Sequence, residues 1–534
     1  MKAVRGMSFA AAGAAALSVW AGFASGQCVF SEVTRVGAFD GSSSDRFGSS
    51  VAVGSDRFVI GAPDDFENLV GRGTAHVFRR LGGVWCLEAK LFPQEAAAAK
   101  FFGRSVGISG SRVVVGAPED NHAGTQSGAA FVFAFDGVKW SQQAKLTASD
   151  AAAQDFFGSS VSIDGNVVIV GAPIKGGFIG AAYLYRWNGA SWVSEGKISA
   201  SDGALGHQFG TSVSVLGGRA VVGSVNARVG GVATGAAYVY EVSGAVWGQT
   251  SKLFASDGGA GDHFGAAVSL GANRVLIGAP EDDDRGSDAG AAYVFDYSGS
   301  WSQTVKLTSA AGAADDRLGA SVAVSGGVAV CGARNDDGAG GSNAGSAAVF
   351  RLEMGSWVER TGLMASDGAA EDGLGTSVGL GGGVVVLGAP GDDDAGGNAG
   401  SAYVFDEPGV VVDEVPLGQT VMRGQPAHFV VRASAAGTAT YLWRRGGMMV
   451  ADGIAPGGGM ISGSSTSCLR LSAAGDADAG SYECVVTDRC VSVTTAAAAL
   501  AVVGAPCAGD ANQDGQVNFA DITQVLTSFN LSCP

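Results

Sequence analysis

A motif that recurs seven times constrains this chain more than any other feature. Each copy carries a Phe-Gly or Leu-Gly pair, and successive pairs lie about 54 residues apart. The pairs begin at Phe47, Phe102, Phe157, Phe209, Phe264, Leu318 and Leu374. A Gly-Ala-Pro triplet follows at Gly61, Gly116, Gly171, Gly278 and Gly388, and it is degraded to Gly223-Ser224-Val225 and Gly332-Ala333-Arg334 in the other two copies. A fixed period of this length indicates a repeat architecture.

Each copy contains four candidate strands separated by turn residues. In the third copy the predicted strands are Ser160–Ile163, Val167–Val170, Gly180–Arg186 and Trp192–Ile198, with a hairpin turn at Asp164-Gly165-Asn166. Four short antiparallel strands repeated radially form the blades of a β-propeller. A solenoid is the competing repeat architecture, but its units are usually shorter.

The two ends of the array predict a closed ring. A Trp lies 17 residues before the next pair in six places, at Trp85, Trp140, Trp192, Trp247, Trp301 and Trp357. The seventh copy has no such segment after it, but Phe30 lies 17 residues before Phe47. We therefore expect residues 29–37 to supply the fourth strand of the last blade, which removes the exposed edges of the array. The strict period also predicts that the Trp and Phe side chains pack between blades rather than stack on a ligand.

With both motifs in register over about 380 residues, the array resembles the FG-GAP repeat family, which includes the head of integrin alpha chains. The resemblance implies a seven-bladed propeller used mostly for binding and adhesion. Integrin-type repeats often place a calcium loop between the two motifs, whereas this chain has tight turns there, such as Gly271-Ala272-Asn273. The pattern is therefore closer to the calcium-loop-free repeats of bacterial secreted proteins.

Acidic runs lie after the Gly-Ala-Pro triplets instead. They are Asp64-Asp65, Glu119-Asp120, Glu281–Asp284, Asp336-Asp337 and Asp392–Asp394. By the repeat they share one face of the ring, and two interpretations are open. The runs form either a cation-assisted binding rim or solvated turns in which Gly and Asp serve the backbone. Copies three and four lack these acids, so that sector of the face is expected to differ.

Residues 410–503 follow a change in composition at Pro408-Gly409. Trp443 stands in an apolar segment, and the segment from Asp478 to Cys484 reads Asp-Ala-Gly-Ser-Tyr-Glu-Cys. These features resemble an immunoglobulin-like domain, in which Trp443 is the core Trp and Tyr482 forms the tyrosine corner. Val431 stands where that family has its earlier Cys, so Cys484 is predicted to be a buried thiol. The resemblance implies a spacer or a binding module.

The tail, residues 504–534, carries the most specific chemical motif. It fits a twelve-residue calcium loop with the ligands Asp510, Asn512, Asp514, Gln516, Asn518 and Asp521. Oxygen ligands at these intervals favour Ca²⁺, and Gly515 permits the sharp turn. The loop resembles one dockerin type I repeat, which implies a cohesin-like or other surface-anchor partner. Cys507 and Cys533 bracket the unit, and a disulfide between them is predicted to staple it.

The first 26 residues have the pattern of a secretory signal peptide. Lys2 and Arg5 precede an apolar run, and small residues stand before a cleavage site at Gln27. A retained membrane anchor is the alternative, but the run is short for a span, and no later stretch is long and apolar enough. Export permits disulfides, so Cys28 and Cys86 are a second candidate pair. Cys331 falls within a strand and is predicted to be a core thiol.

Charge and motif content narrow the classes of function. The net charge of −17 argues against a nucleic-acid partner, because phosphate binding needs a basic face. The five His are scattered and never fall at a metal-ligand interval: His76, His122, His207, His263 and His428. No Gly-x-Ser-x-Gly elbow with a matching triad order is present, and paired carboxylates are too numerous to be informative. No catalytic residue is therefore predicted.

Together these features predict an all-β chain with a seven-bladed β-propeller (27–409), an immunoglobulin-like β-sandwich (410–503) and a short calcium loop–helix tail (504–534) after the signal peptide (1–26). We expect a secreted or cell-surface, non-catalytic binding protein. Its propeller would contact an extracellular protein or polysaccharide, and its tail would dock or anchor it. The alternatives are a secreted hydrolase or lyase with its site in the propeller channel, acting on polysaccharide or ester, and a structural surface-layer component.

Overall fold

The computed structural model describes residues 30–504, apart from 67–72, 82, 95–99, 245, 339, 408–409, 436–438 and 488–491. The chain divides into two compact units, one within Val29–Gly409 and the other continuing from Val410. In the described part of the chain, no helix is long and apolar enough to cross a membrane.

The first unit consists of seven four-stranded antiparallel sheets, which we number as blades one to seven. Its first strand is β1 (Ser31–Val36). Blades one to three contain β2 (Ser50–Val53), β3 (Arg57–Ala62), β4 (Thr74–Leu81) and β5 (Val84–Leu91); β6 (Ser105–Ser109), β7 (Arg112–Ala117), β8 (Ala129–Phe135) and β9 (Trp140–Leu146); and β10 (Ser160–Asp164), β11 (Val167–Ala172), β12 (Ala181–Trp187) and β13 (Trp192–Ile198). A single helical turn, α1 (Lys175–Phe178), precedes β12.

The remaining blades repeat this plan. Blade four contains β14 (Phe209–Leu216), β15 (Arg219–Ser224), β18 (Ala236–Ser243) and β19 (Val246–Leu253), with a small ribbon of β16 (Arg228–Val229) and β17 (Val232–Ala233) inserted. Blades five to seven contain β20 (Ala267–Leu270), β21 (Arg274–Ala279), β22 (Ala291–Tyr297) and β23 (Trp301–Leu307); β24 (Leu318–Ser325), β25 (Val328–Ala333), β26 (Ser346–Glu353) and β27 (Ser356–Leu363); and β28 (Ser377–Gly381), β29 (Val384–Ala389), β30 (Ser401–Asp406) and β1. This is the arrangement of a seven-bladed propeller.

The ring closes by pairing the two ends of the unit. Strand β1 runs antiparallel to β30, with Ser31 opposite Asp406 and Val36 opposite Ala402. The predicted strand offset is therefore confirmed: the N-terminal strand completes blade seven. Phe30 lies buried in the core of that blade with Leu374 and Tyr403.

The two repeated motifs meet at the interface between neighbouring blades. A Cβ atom added to Gly61 would lie 1.9 Å from the carbonyl oxygen of Gly103 in the next blade. Gly103 has a φ of 94°, and a Cβ there would lie 2.3 Å from the carbonyl oxygen of Thr74. Only glycine fits either position. The degraded triplet of blade six keeps this contact between Gly332 and Gly375, which explains why the copy kept its Gly.

The aromatic anchors fill the space between blades, as predicted. Phe102 of blade two is fully buried and packs in one cluster with Val59 and Val77 of blade one. The indole N–H of Trp140 donates a hydrogen bond of 2.9 Å to Glu88 of blade one. Each blade therefore shares its core with its neighbour.

The second unit is a sandwich of two sheets. Its strands are β31 (Val410–Glu414), β32 (Gln419–Met422), β33 (Ala427–Val430), β34 (Arg432–Ala435), β35 (Thr440–Arg445), β36 (Met448–Met449), β37 (Gly453–Ile454), β38 (Met460–Ser462), β39 (Cys468–Leu471), β40 (Gly480–Thr487), β41 (Ser492–Thr494) and β42 (Ala498–Val503). One sheet has the order β32-β42-β40-β35-β36, with β41 beside β40, and the other has the order β33-β39-β38-β37. Strands β31 and β34 pair separately. Side chains of both large sheets share a single core.

The residues that the sequence placed at the centre of this unit lie there. Trp443 and Cys484 are opposite each other on adjacent strands, and both are fully buried together with Val431. The hydroxyl of Tyr482 donates a hydrogen bond of 2.8 Å to the carbonyl oxygen of Asp478, four residues upstream. That bond is the contact expected of a tyrosine corner.

The cysteine predictions have different outcomes. Cys331 and Cys484 are free and buried, so both predictions of a core thiol are confirmed. Cys86 is free and exposed, and its predicted partner Cys28 lies outside the described residues. Cys507 and Cys533 and the whole signal segment also lie outside them, so those predictions stand untested.

Candidate functional site

One end of the ring collects the residues that the repeat places beside its motifs. In every blade the first strand begins, the second ends, the third begins and the fourth ends at this end, because neighbouring strands are antiparallel. The Phe-Gly pairs, the residues after the triplets and the linkers between blades therefore all lie here. We call it the Phe-Gly end.

The centre of the Phe-Gly end opens into an axial channel of about 280 Å³. Ser, Thr, Ala and Val side chains of all seven first strands line it, and Arg104 is the one charged side chain among the described lining residues. The outer hydroxyls already donate hydrogen bonds to the backbone: Ser49 to Arg46 at 2.8 Å and Ser159 to Phe156 at 2.7 Å. The channel therefore presents hydroxyl lone pairs and apolar surface, and its described lining contains neither His nor carboxylate.

A ring of serines below the mouth ties each blade to the next. Each Ser donates a hydrogen bond to the carbonyl oxygen of the motif glycine in the following blade. The six bonds are Ser50–Gly103, Ser105–Gly158, Ser160–Gly210, Ser212–Gly265, Ser321–Gly375 and Ser377–Gly48. Blade five has Ala267 at this position, so no equivalent hydroxyl reaches Gly319.

The residue before each Phe-Gly or Leu-Gly pair has a left-handed backbone. The φ values are 54° at Arg46, 56° at Phe101, 54° at Phe156, 57° at Gln208, 55° at His263, 58° at Arg317 and 65° at Gly373. This region disfavours residues with a Cβ by about 1 kcal/mol, and glycine avoids that penalty. Six copies nevertheless carry a side chain here, and its chemistry changes around the ring. We call these positions the display ring.

In the five blades that have an acid after the triplet, one carboxylate of the run lies farther from the axis and is held by the blade itself. In blade five, Asp282 is 3% exposed, accepts a hydrogen bond of 2.7 Å from Tyr293 and lies 2.8 Å from the ammonium of Lys306. Lys306 also pairs with Asp257 at 3.1 Å and with Asp284 at 2.5 Å. Burial opposes its charge, but the three carboxylates raise the pKa of Lys306 above its ordinary value. We call this arrangement the outer network.

Other blades repeat the outer network with small changes. Its cation pairs with carboxylate in Lys90–Asp65 (2.9 Å), Lys145–Asp120 (2.8 Å), Lys197–Asp150 (3.0 Å), Lys252–Asp202 (2.6 Å) and Arg35–Asp392 (3.1 Å). Blades three and four lack the acid after the triplet, and the linker residues Asp150 and Asp202 accept the tyrosine hydrogen bond instead. That sector thus forms the same network from another carboxylate.

Blade six departs from this plan. The position of the lysine is Gly362, that of the tyrosine is Ala348, and that of the linker carboxylate is Ala311. Asp336 is kept, and it accepts a hydrogen bond from the hydroxyl of Ser346. Blade six therefore lacks the lysine, the tyrosine and the linker carboxylate of the outer network, while its acid persists with a neutral partner.

Blade one places a histidine at the tyrosine position. His76 is fully buried, and its Nε2 lies 3.0 Å from the hydroxyl of Thr74 and 4.0 Å from Asp65. Its Nδ1 is buried with no hydrogen-bond partner among the described residues. Burial, followed by the nearby charge of Lys90, lowers the pKa of His76 to about 4. The imidazole is therefore neutral at pH 7.

These contacts bear on the two interpretations of the acidic runs. Buried acids bonded to Lys, Arg and Tyr favour a structural role over a cation-assisted rim. Across the described residues, no group of His, Cys, Asp and Glu is arranged to hold a metal ion. The predicted calcium ligands, Asp510, Asn512, Asp514, Gln516, Asn518 and Asp521, lie outside the described residues, and that site stays a prediction.

Shared motifs do not identify the display ring or Arg104 as functional positions, because the side chains at these positions differ between the seven copies. Arg104 stands where the other copies have Ser, Thr or Ala, and Arg334 stands where five copies have Pro. Alignment of the seven copies position by position would have marked both as departures.

Solved structures that resemble part of the chain include an immunoglobulin complex of titin and obscurin-like 1. It is 22% identical, with 19% of this chain and 99% of that chain covered and a TM-score of 0.17. A domain of titin solved at atomic resolution is 22% identical over 18% of this chain and 93% of that chain, with a TM-score of 0.16. The first immunoglobulin domain of Dpr1, bound to that of DIP-eta, is 16% identical over 18% of this chain and 96% of that chain, also with a TM-score of 0.16. No curated protein matches the chain.

The model of the FG-GAP repeat matches this chain seven times. The matched residues are 30–78, 85–133, 140–185, 192–240, 247–295, 301–350 and 357–405. The matches begin near the residue that opens each fourth strand, so they follow the strand offset of the ring. Together they span more than half of the 534 residues. This chain belongs to the FG-GAP repeat family.

Proposed function

We propose that this chain is a secreted or cell-surface, non-catalytic binding protein whose ligand contacts the Phe-Gly end of the propeller. The display ring carries the proposal: one backbone geometry is kept in seven copies, while the side chains change from Arg to Phe, Gln and His. Unfavourable backbone conformations persist mainly where function requires them. The family agrees with this role, because FG-GAP repeats suggest a propeller of the binding or adhesion type.

Binding to the cells that produce the protein tests this proposal. Phe101 and Phe156 are changed together to Gly, the residue that blade seven holds at this position. The change removes two side chains and relieves the left-handed backbone, so the fold is kept. We expect labelled full-length chain to bind the cells about tenfold more weakly, because aromatic anchors dominate most interfaces.

A matched control lies at the other end of the ring. Val138 and Met354 are exposed in hairpins there, and their change to Ser removes apolar surface without touching the display ring. Equal binding by both double variants would contradict the proposal. Release of reducing sugar or ester product by the full-length chain would instead support the hydrolase or lyase alternative.

The second unit and the tail complete the proposal. The two-sheet core and the Tyr482 hydrogen bond support an immunoglobulin-like spacer. The spacing of oxygen donors in the tail supports a calcium-dependent docking or anchoring role. Calorimetric titration of the full chain with Ca²⁺ tests the tail: Asp510→Ala with Asp521→Ala should abolish the binding heat, and Asp337→Ala in the propeller should leave it. The opposite result would place the calcium site elsewhere.

A further inference from the structure

Two arginines that have no counterpart in the other copies lie at the Phe-Gly end of the ring. Arg104 follows the Phe-Gly pair of blade two and lines the channel. Arg334 follows strand β25 of blade six, nearly opposite in the ring. Strand β25 ends and strand β6 begins at the Phe-Gly end, so both arginines leave the backbone at the same end of the ring, and the charge of Arg104 reaches Arg334. Each one replaces a small or apolar residue of the other copies, Ser, Thr or Ala in one case and Pro or Val in the other.

Among the described residues, no hydrogen bond or ion pair involves the side chain of Arg104 or Arg334. Arg104 is exposed and Arg334 is half-buried. Burial lowers the pKa of Arg334, and the neighbouring charge of Arg317 adds to this. The mouth therefore holds two guanidinium groups without ion-pair partners among the described residues, in a protein whose net charge is −17, and such groups favour an anionic partner.

The carboxylates around the mouth have other partners or sit to one side. Asp64 pairs with Arg46 at 3.4 Å, and Glu281 pairs with His263 at 2.7 Å. Glu119 lies beside Arg104 in the adjoining cavity without an ion-pair partner among the described residues. It is thus an internal carboxylate placed to compete for Arg104.

The adjoining cavity is mostly apolar. It measures about 390 Å³ and lies between blades two and three, where half-buried Phe101, Phe156 and Ile174 form a shelf beside Arg104. Its hydroxyls, Ser159 and Thr211, donate to the backbone carbonyls of Phe156 and Gln208. A sugar needs free polar partners for its hydroxyls, and this shelf offers few. An apolar side chain next to an acid fits it better.

We propose that the mouth of the channel binds a carboxylate, the side chain of an Asp or Glu in an extended peptide segment of a partner protein. The carboxylate lies between Arg104 and Arg334, and the neighbouring apolar residue of the peptide packs on the shelf of Phe101, Phe156 and Ile174. The inference rests on the proposed function, because it names the partner chemistry of the Phe-Gly end.

Fluorescence anisotropy with defined peptides tests the inference. The probe is a dye-labelled octapeptide, acetylated or amidated at its free ends, with a central Glu between Phe and Leu; the reference peptide has Gln in place of Glu. We expect the full-length chain to bind the Glu peptide about tenfold more tightly, as a charge-assisted pair predicts. Arg104→Ser and Arg334→Pro introduce the residues of sister copies, and each should remove most of this preference. Arg334→Val, the residue of blade four, serves as a second form of that change.

Two further variants sharpen the result. Lys139→Gln removes a positive charge from an exposed hairpin at the other end of blade two and should leave the preference unchanged. Glu119→Gln removes the internal competitor and should tighten binding of the Glu peptide. Unaltered thermal unfolding of all variants separates loss of the site from loss of the fold.

The outcomes distinguish this inference from the proposed function. No Glu preference, or a preference that survives the double change of Arg104 and Arg334, overturns the inference. Arginine-dependent binding of polygalacturonate without any peptide preference overturns it in favour of a glycan. If cell binding still depends on Phe101 and Phe156 in these cases, the proposed function stands. If cell binding is also indifferent to those residues, both fail.

Discussion

Blades five and six hold their place in the ring by different means. Blade five has the complete outer network around Lys306 but carries Ala267 where the serine ring requires a hydroxyl. Blade six has the serine bond from Ser321 to Gly375 at 2.6 Å but carries Gly362 where the outer network requires a lysine. Each blade therefore has one of the two interactions and lacks the other. The ring needs neither the outer network nor the serine bond in every copy, whereas the glycine contact between the motifs is present in both blades.

The largest expected effect comes from the contact that the two blades share. In Gly278→Ala the new Cβ would lie 1.9 Å from the carbonyl oxygen of Gly319, and in Gly332→Ala it would lie 2.1 Å from that of Gly375. We expect both variants to lose at least ~4 kcal/mol of unfolding free energy, because neither backbone can move away without separating two blades. Urea unfolding measures this. Gly248→Ala is the control, because a Cβ at Gly248 faces open space. A loss of stability in Gly278→Ala no larger than that of the control would contradict the expected clash between the blades.

The second-largest expected effect concerns the outer network, which blade five has and blade six lacks. Lys306→Ala leaves the buried Asp282 without its cation, which costs about 3 kcal/mol for a buried pair that loses one partner. Gly362→Lys in blade six should change stability by less than about 0.5 kcal/mol, because the linker carboxylate is absent there. The two urea midpoints are compared with that of the parent chain. A large gain from Gly362→Lys would show that blade six lacks only the lysine.

A third form of the network, in blade one, adds a dependence on pH. An unfolded chain protonates His76 below pH 6.5, whereas the folded chain does so only near its pKa of about 4. The contribution of the neutral His76 to the free energy of unfolding is therefore complete above pH 6.5. It is lost as the pH falls from 6.5 towards 4, by about 2 kcal/mol at pH 5. His76→Phe, which copies Phe131 of blade two, should remove this part of the profile.

The difference between the parent chain and His76→Phe isolates the histidine. Burial raises the pKa of Asp45 to about 6, and this carboxyl acts in the opposite direction between pH 6 and 4. Because Asp45 is present in both proteins, its contribution cancels in the difference. Parallel stability profiles of the two proteins from pH 7 to 5 would contradict the neutral, buried imidazole.

The smallest effect tests the serine ring from both sides. Ser321→Ala removes the hydroxyl that reaches Gly375 and should cost about 1 kcal/mol, the usual net value of an intramolecular hydrogen bond. Ala267→Ser adds the missing bond to Gly319 and should gain up to about 1 kcal/mol. Thermal unfolding of both variants in one background gives the comparison. Equal shifts in the same direction would show that this position acts through packing rather than hydrogen bonding.

The sequence carried enough information to predict the ring but not its side-chain contacts. The interval from Trp to Phe-Gly is a local quantity, and it predicted that residues 29–37 complete the last of seven blades, where residues 31–36 pair with 402–406. The sequence did not predict which groups the acids bond to, because Asp392 and its cation Arg35 lie 357 residues apart and meet only when the ring closes. A motif search also favours what copies share, whereas Arg104 and Arg334 stand out by differing from their sister copies.

Ring closure also has a consequence for folding kinetics. Strand β1 must wait unpaired until β30 has formed, and Arg35 reaches Ser401 across a sequence separation of 366 residues. Contacts of such separation form slowly, since loop closure must precede any gain from them. Meanwhile the open edge of blade seven accepts the first strand of whichever chain is nearest. At high concentration during refolding, β1 of one molecule can complete blade seven of another, and we expect strand-exchanged dimers to form under those conditions.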